Sequence, residues 1–369
     1  MHLKTIEIKN FRNLRDVSLY FSPKVNIILG ENAQGKTNLL EAIWLLSGNK
    51  SFRGAQDREL VSFNEQNYFI GGAFCEDDEE TVLKIGCDIK GEKPLKKVYR
   101  NGKTYKTARA LLSAAGMTVF SPDDLEIIKS GPSVRRNYLD VLLCSLFPAY
   151  AKTLSRYNRI VMQKNALLKA QESRENIDIW NSQLALFGAS VVKSRCELLK
   201  RLLPFAQKSF FEMAGEKESL DILYKCTVCE DTEISESALA EKFLEKIEKN
   251  FYKEEAAQSC LYGPHRDDLT VLVNSKDART FASQGQQRSA VLALLLAKTA
   301  LIKNLSGKAP IVLLDDVMSE LDKTRQKYLL EKIEDFQVFI TCCQDELFKE
   351  ENFKKTFIVS EGKIKSEGK

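Results

Sequence analysis

The sequence predicts an α/β protein whose mixed sheet is interrupted by an inserted helical arm. Three observations predict it: an apolar strand that runs into a glycine loop and a helix near the start, a long central stretch of helical periodicity, and a second apolar strand ending in two acids near the end. At 369 residues the chain exceeds one typical domain. The expected division is 1–125 for the first part of the α/β domain, 126–257 for the helical arm and 258–369 for the second part.

Residues 3–8 and 17–21 read as two strands around a turn, and residues 25–29 form the continuous apolar run of a strand buried on both faces. Leu39, Leu40, Ile43, Trp44 and Leu46 then recur at helical spacing until Gly48. Residues 66–109 read as β-rich, with Asn101-Gly102 as a hairpin turn. Between about 126 and 253 the pattern is helical. There Trp180, Leu184, Phe187, Val191 and Leu198 make a stripe that runs up to Pro204, either a packed helix hairpin or a short coiled coil. Strands return at 269–273 and 311–314, with a long helix over 286–302 between them, and the tail 363–369 reads as loose.

Charged residues at 29% and hydrophobic ones at 44% have the balance of a globular protein. The aliphatic run 291–297 is ended by Lys298, short of the roughly 20 residues that a membrane helix needs, so no membrane partner is expected. The start, His2-Leu3-Lys4, lacks the apolar core of a signal peptide, and the nine scattered cysteines fit reduced thiols. Both point to a cytoplasmic chain. Net charge is only +4, but residues 84–109 carry nine Lys or Arg against Asp88 and Glu92. That excess suits either a phosphate-binding surface or a sheet edge protected by lysines.

Gly30-Glu31-Asn32-Ala33-Gln34-Gly35-Lys36-Thr37 matches the phosphate-binding loop in full. Its glycines let backbone N–H groups turn inward, Lys36 can reach the β and γ phosphates of ATP, and the Thr37 hydroxyl can ligate Mg2+. The strand 311–314 delivers Asp315 and Asp316, the first to hold magnesium and the second to orient or deprotonate an attacking water. Ser283-Gln284-Gly285-Gln286 opens the helix upstream of those acids, where exposed N–H groups make an anion site; the simpler reading of Ser283 is a helix N-cap. This is the place of the ABC signature, which closes the nucleotide site of a second subunit, so an ABC-type ATPase head acting as a homodimer is expected. Ser319 and Asp322 follow at the spacing of the D-loop, or else start a helix. A switch histidine is expected near Thr341, but the histidines are His2 and His265, which leaves Thr341 or Gln344 to meet the γ-phosphate.

The chain resembles the RecF family of bacterial recombination-repair ATPases, related to the heads of structural-maintenance-of-chromosomes proteins. The resemblance rests on Asn10-Phe11-Arg12-Asn13-Leu14, the run 30–43, Ser121-Pro122-Asp123-Asp124-Leu125, Gly131-Pro132-Ser133-Val134-Arg135-Arg136, Gly263-Pro264-His265-Arg266-Asp267-Asp268, the Ser283 segment and residues 314–322. It implies ATP-dependent dimerisation on gapped or junction DNA, double- and single-stranded, and work with RecO and RecR to load RecA on single strands. It also implies slow hydrolysis, Arg12 and Asn13 near the adenine, and Asn38 in the ATP site. DNA backbone contacts are expected from Lys50, Arg53 and Arg58 and from Lys93, Lys96, Lys97, Arg100 and Lys103 of the hairpin. The alternatives are an ABC transport cassette or an adaptor with a structural nucleotide.

Overall fold

The computed structural model describes residues 1–77, 79–89, 91, 94–106, 108, 116–343 and 354–367, and the chain divides into two compact units. Lys93, Arg109 and Gln344 lie outside the described residues.

The first unit, Met1–Asp124 with Lys298–Lys369, contains two six-stranded sheets. One is antiparallel and joins β1 (His2–Phe11), β2 (Leu14–Tyr20), β4 (Asn67–Glu76), β5 (Glu79–Asp88), β6 (Leu95–Arg100) and β7 (Lys103–Tyr105) in the order β2-β1-β4-β5-β6-β7. The other contains β3 (Val25–Leu29), β8 (Met117–Phe120), β12 (Ile311–Asp315), β13 (Val338–Cys342), β14 (Lys354–Ser360) and β15 (Lys363–Glu367), in the order β15-β14-β3-β13-β12-β8. Every pairing in this second sheet is parallel except β14 with β15, so the sheet is mixed. Helix α1 (Lys36–Leu45) follows β3 and α10 (Lys323–Ile333) joins β12 to β13. One core cluster ties the layers together, with Ile6 and Phe11 of β1, Leu40 and Ile43 of α1, Leu313 of β12 and Phe357 of β14. Burial on both faces explains why β3, β12 and β13 are mostly apolar, and the buried Asn26 of β3 is hydrogen-bonded to the Ser22 backbone.

The second unit, Leu125–Ala297, is mainly helical. It contains α2 (Glu126–Lys129), α3 (Pro132–Leu146), α4 (Pro148–Lys169), α5 (Arg174–Met213), α6 (Glu236–Lys249), α7 (Phe251–Ala257), α8 (Ala278–Phe281) and the start of α9 (Gln284–Ser306). A small antiparallel sheet of β9 (Leu220–Lys225), β10 (Asp268–Val273) and β11 (Lys276–Asp277) completes it. Because β10 pairs with β9, Thr270 opposite Leu223, residues 258–297 fold with the arm and not with the second part of the α/β domain.

Two further expectations change. Helix α5 does not stop at Pro204 but continues to Met213. Pro204 is exposed, while Leu202, Ala206 and Phe210 around it are buried, so packing on the inner face outweighs the hydrogen bond that proline removes. Residues 363–367 of the tail are not loose: β15 runs antiparallel to β14, and Ile364 packs on the core, while 368 and 369 lie outside the described residues. Among the described residues α9 is long and apolar enough to cross a membrane, but 67% of its most apolar stretch is buried inside the protein, the setting of a core helix.

The arm accounts for several of the motifs that carried the resemblance. Arg135 forms two hydrogen bonds to Asp268, at 2.7 and 2.9 Å, and Arg136 donates to the Asp267 carbonyl at 2.7 Å. Asp267 is buried and accepts from Tyr224 and Thr227. Gly263 has φ +123°, and a Cβ there would sit 2.5 Å from the Tyr157 hydroxyl. His265 Nε2 donates to the Cys260 carbonyl at 3.2 Å, and with the ring neutral Nδ1 accepts from the Tyr157 hydroxyl at 2.6 Å. Burial, with Arg266, Arg136 and Lys164 adding to it, lowers its pKa to about 4.

Since the unfolded ring titrates near 6.5, the unfolded chain binds the extra proton first as pH falls. The arm is therefore predicted to keep this stability above pH 6.5 and to lose about 3 kcal/mol by pH 4. Urea midpoints measured from pH 7 to 5 should fall, and His265→Gln should flatten that slope. An unchanged slope contradicts the assignment.

Candidate nucleotide site

β3 ends at Leu29 and the glycine loop turns directly into α1. A Cβ on Gly30 would lie 2.4 Å from the Val359 carbonyl oxygen of β14, so no side chain fits. Gly35, the residue before α1, has φ +119°, and a Cβ there would come within 2.7 Å of Asn13 Oδ1. The Lys36 ammonium folds back and donates to the carbonyls of Gly30 at 2.6 Å and Glu31 at 3.0 Å. Gln34 anchors the loop from outside. Its carbonyl accepts from Asn13 at 2.8 Å and from Gly362 N–H at 3.1 Å, and its side chain accepts from Glu361 N–H at 2.6 Å. The β14–β15 turn therefore grips the loop.

The parallel sheet brings the acids to the same edge. β3 and β12 both pair with β13, so the loop leaving β3 and the acids leaving β12 emerge side by side. Thr37 donates to Asp315 Oδ1 at 2.9 Å, and Thr341 donates to the same oxygen at 2.9 Å. Burial raises the Asp315 pKa, the two hydroxyls oppose that rise and Asp316 adds to it. An oxygen-only pair of a hydroxyl and a buried carboxylate fits a hard cation that takes its other ligands from water and phosphate. No group of three His, Cys, Asp or Glu able to hold a metal occurs among the described residues, so an all-protein cage is not what these residues build. Thr37 and Asp315 are the residues that could hold Mg2+.

A cleft of about 870 Å³ opens over this edge, lined by Asn13, Asn32, Gly35, Lys36, Thr37, Asn38, Asp315 and Asp316. Arg12 lines it too, but its guanidinium is bound by Glu41 at 3.0 and 3.2 Å and by the Glu59 carbonyl at 3.0 Å. Asn13, Asn38 and Arg53 form a chain of hydrogen bonds, 2.8 Å from Asn38 to Asn13 and 3.1 Å from Arg53 to Asn38. Arg53 and Arg58, expected on a DNA surface, line the same cleft. Lys50 is exposed, Lys96 pairs with Asp57 at 2.8 Å, Arg100 is half-buried, and Lys97 and Lys103 are exposed on the β6–β7 edge; Lys93 lies outside the described residues.

Ser283 caps α9: its hydroxyl accepts from Gln286 N–H at 3.2 Å, and the Gln286 side chain accepts from Ser283 N–H at 2.8 Å, a reciprocal box. Ser283 is exposed and Gly285 half-buried. Ser319 donates to the Asp316 carbonyl at 2.7 Å, and Asp322 caps α10 by accepting from Arg325 N–H at 2.9 Å. Three participants were not singled out as site residues from the sequence. Gln34 holds the loop to Asn13 and the β14–β15 turn, Cys343 Sγ lies 3.5 Å from Lys36 Nζ, and Phe63, 91% exposed, lines the cleft beside Val61. An aromatic following the strand-like Leu60-Val61 was the available signal for Phe63.

The family described as RecF/RecN/SMC N terminal domain matches residues 2–365. The DNA replication and repair protein RecF of Lachnoclostridium phytofermentans is 38% identical over 346 residues, 93% of this chain and 92% of that protein. RecF of Caldanaerobacter subterraneus subsp. tengcongensis is 39% identical over 346 residues, 92% of this chain and 94% of that protein. The solved structure of the recombination mediator protein RecF with ATP in the RecFOR pathway is 36% identical and superposes with TM-score 0.91 over 100% of this chain and 98% of that one. An Smc head bound to the winged-helix domain of ScpA shares the fold, with TM-score 0.59 and 18% identity over 100% of this chain and 98% of that one.

Glu41 is fully buried and Arg12 is its charge partner. Arg12→Ala is predicted to lower unfolding stability by about 3 kcal/mol in the absence of nucleotide, because it leaves a buried carboxylate without its charge partner and with the Ser51 hydroxyl as its remaining donor. Arg12→Ala/Glu41→Leu should recover most of it in urea titrations. Unchanged stability in the single variant contradicts this bracing role.

Proposed function

We infer that this chain, which belongs to the RecF/RecN/SMC N-terminal domain family and within it to RecF, is an ATP-driven DNA-binding protein of recombinational repair and replication restart. The observation that carries the reading is the glycine cradle joined through Thr37 to the buried Asp315 carboxylate. That is the arrangement a nucleoside triphosphate needs, with N–H donors and an ammonium for the phosphates and oxygen ligands for their cation.

In this reading Gly30, Asn32 and Gly35 shape the cradle, and Lys36 exchanges its loop carbonyls for the β and γ phosphates. Asn13 and Asn38 border the nucleotide, Arg12 braces the cleft wall, and Asp316 orients the attacking water. Thr37 and Asp315 would hold Mg2+, which when bound neutralises charge on the phosphates. The exposed Phe63, with Val61 beside it, offers the apolar wall a base requires. Ser283, Gly285 and Gln286 of a second copy cap the γ-phosphate, and Ser319 and Asp322 cross the twofold. Ser283 serves as N-cap and phosphate donor together, since both use the same helix end. Hydrolysis is slow, in keeping with the missing switch histidine, and releases the clamp.

The relatives named as recombination mediators of the RecFOR pathway point to RecO and RecR as partners, to loading of RecA on single strands, and to gapped or junction DNA as substrate. The exposed lysines of the β6–β7 hairpin supply backbone contacts that position the duplex without reading sequence. Such a protein works in the cytoplasm.

Sedimentation with and without ATP and a gapped duplex tests this: wild type should pair and retain DNA only with ATP, and Lys36→Ala should do neither. Retention of both by that variant overturns the reading. Phe63→Ala should weaken ATP binding roughly tenfold, as expected for one lost base stack, and leave tripolyphosphate binding unchanged. Equal losses for both ligands would remove the base wall.

A further inference from the structure

Thr341 is the penultimate residue of β13 and is completely buried, directly opposite Asp315 in the parallel register with β12. Its one hydroxyl proton goes to Asp315 Oδ1 at 2.9 Å, and its oxygen accepts the backbone N–H of Asp316 at 2.8 Å. The Leu314 carbonyl is farther away, at 3.5 Å. The donor is spent on a carboxylate and the acceptor on an amide, so this hydroxyl has nothing to offer a γ-phosphate. The contact considered from sequence is replaced by another role.

We propose that Thr341 is the positioning residue of the hydrolytic step, fixing both acids at once: Asp315 through its side chain and Asp316 through its backbone. The inference rests on the reading of the cleft as an ATP-hydrolysing site. Asp316 takes φ +53°, a left-handed conformation that is unfavourable for a residue with a side chain, though less so for Asp than for most, and that needs local restraints to hold it. The bond from its N–H to Thr341 is one such restraint, and Ser319 donating to the Asp316 carbonyl at 2.7 Å is another. The turn they hold leaves Asp316 on the cleft wall. Both hydroxyls on Asp315 fall on the same oxygen, so Thr37 from the loop side and Thr341 from the sheet side set one rotamer for the carboxylate. A threonine suits the place for a structural reason: its β-branch fits a strand buried on both faces, and its hydroxyl provides one donor and one acceptor.

The test compares full-length Thr341→Val, which keeps the shape and removes the hydroxyl, with Thr341→Ser, which keeps the hydroxyl. Steady-state ATP hydrolysis, binding of a non-hydrolysable ATP analogue and thermal melting are measured for each. Thr341→Val should lose roughly ten- to a hundredfold in kcat, the scale of a misplaced catalytic group, with KM and analogue affinity within about threefold of wild type. Thr341→Ser should recover kcat to within about threefold. If Thr341→Val does not fold, Thr341→Ala gives the same comparison. Wild-type kcat in the hydroxyl-free variant overturns the proposal, as does parallel loss of kcat, analogue binding and melting in both variants. Absence of ATP hydrolysis by the wild type, with analogue binding unaffected by Lys36→Ala, would instead overturn the reading of the cleft.

Discussion

The site depends on one buried carboxylate. Asp315 sits at the end of a strand covered on both faces, where burial alone would push it towards the neutral acid, and two hydroxyls from opposite directions oppose that. One comes from the helix that follows the glycine loop and the other from the neighbouring strand, so the carboxylate joins three segments far apart in the chain: residue 37, residue 315 and residue 341. A parallel sheet makes this possible, because strands running the same way deliver their polar ends to the same edge.

The rest of the first unit holds the loop against that edge. Val359 and Asn13 approach Gly30 and Gly35 so closely that a side chain is excluded, and the backbone of the Glu361-Gly362 turn bonds Gln34. A cradle stiffened from three sides has little freedom left to lose when phosphates arrive, which favours tight nucleotide binding. Lys36, Arg53 and Arg58 line the cleft together with the acids Asp315 and Asp316. No histidine stands beside Thr341, where a hydrolytic switch was expected; His265 is hydrogen-bonded within the arm.

Local chemistry was legible in the sequence. The glycine loop, the strand before it, the helix after it, the Asn101-Gly102 hairpin with φ of +48° and +76°, and the acid-tipped strand all depend on neighbours a few residues away, and the structure forms each. What stayed hidden depends on distant partners. β9 exists because β10 pairs with it across more than forty residues, α5 passes Pro204 because its inner face is packed, and β15 forms because β14 is there to receive it. In the site, Arg12 carried a ligand's expected role, yet Glu41 binds it, and no spacing rule could show that Arg53 and Arg58 line the cleft. Thr341 was noticed only for the histidine it stands in place of, since its use follows from strand register.

In the proposed assembly one chain's cradle is completed by another chain's Ser283 helix. This arrangement is tested most directly by mixing two full-length variants, Lys36→Ala and Ser283→Arg, each inactive alone, and measuring ATP hydrolysis. Activity should return in the mixture, because a mixed pair joins the intact cradle of one chain to the intact helix of the other. A mixture as silent as its components would contradict the account.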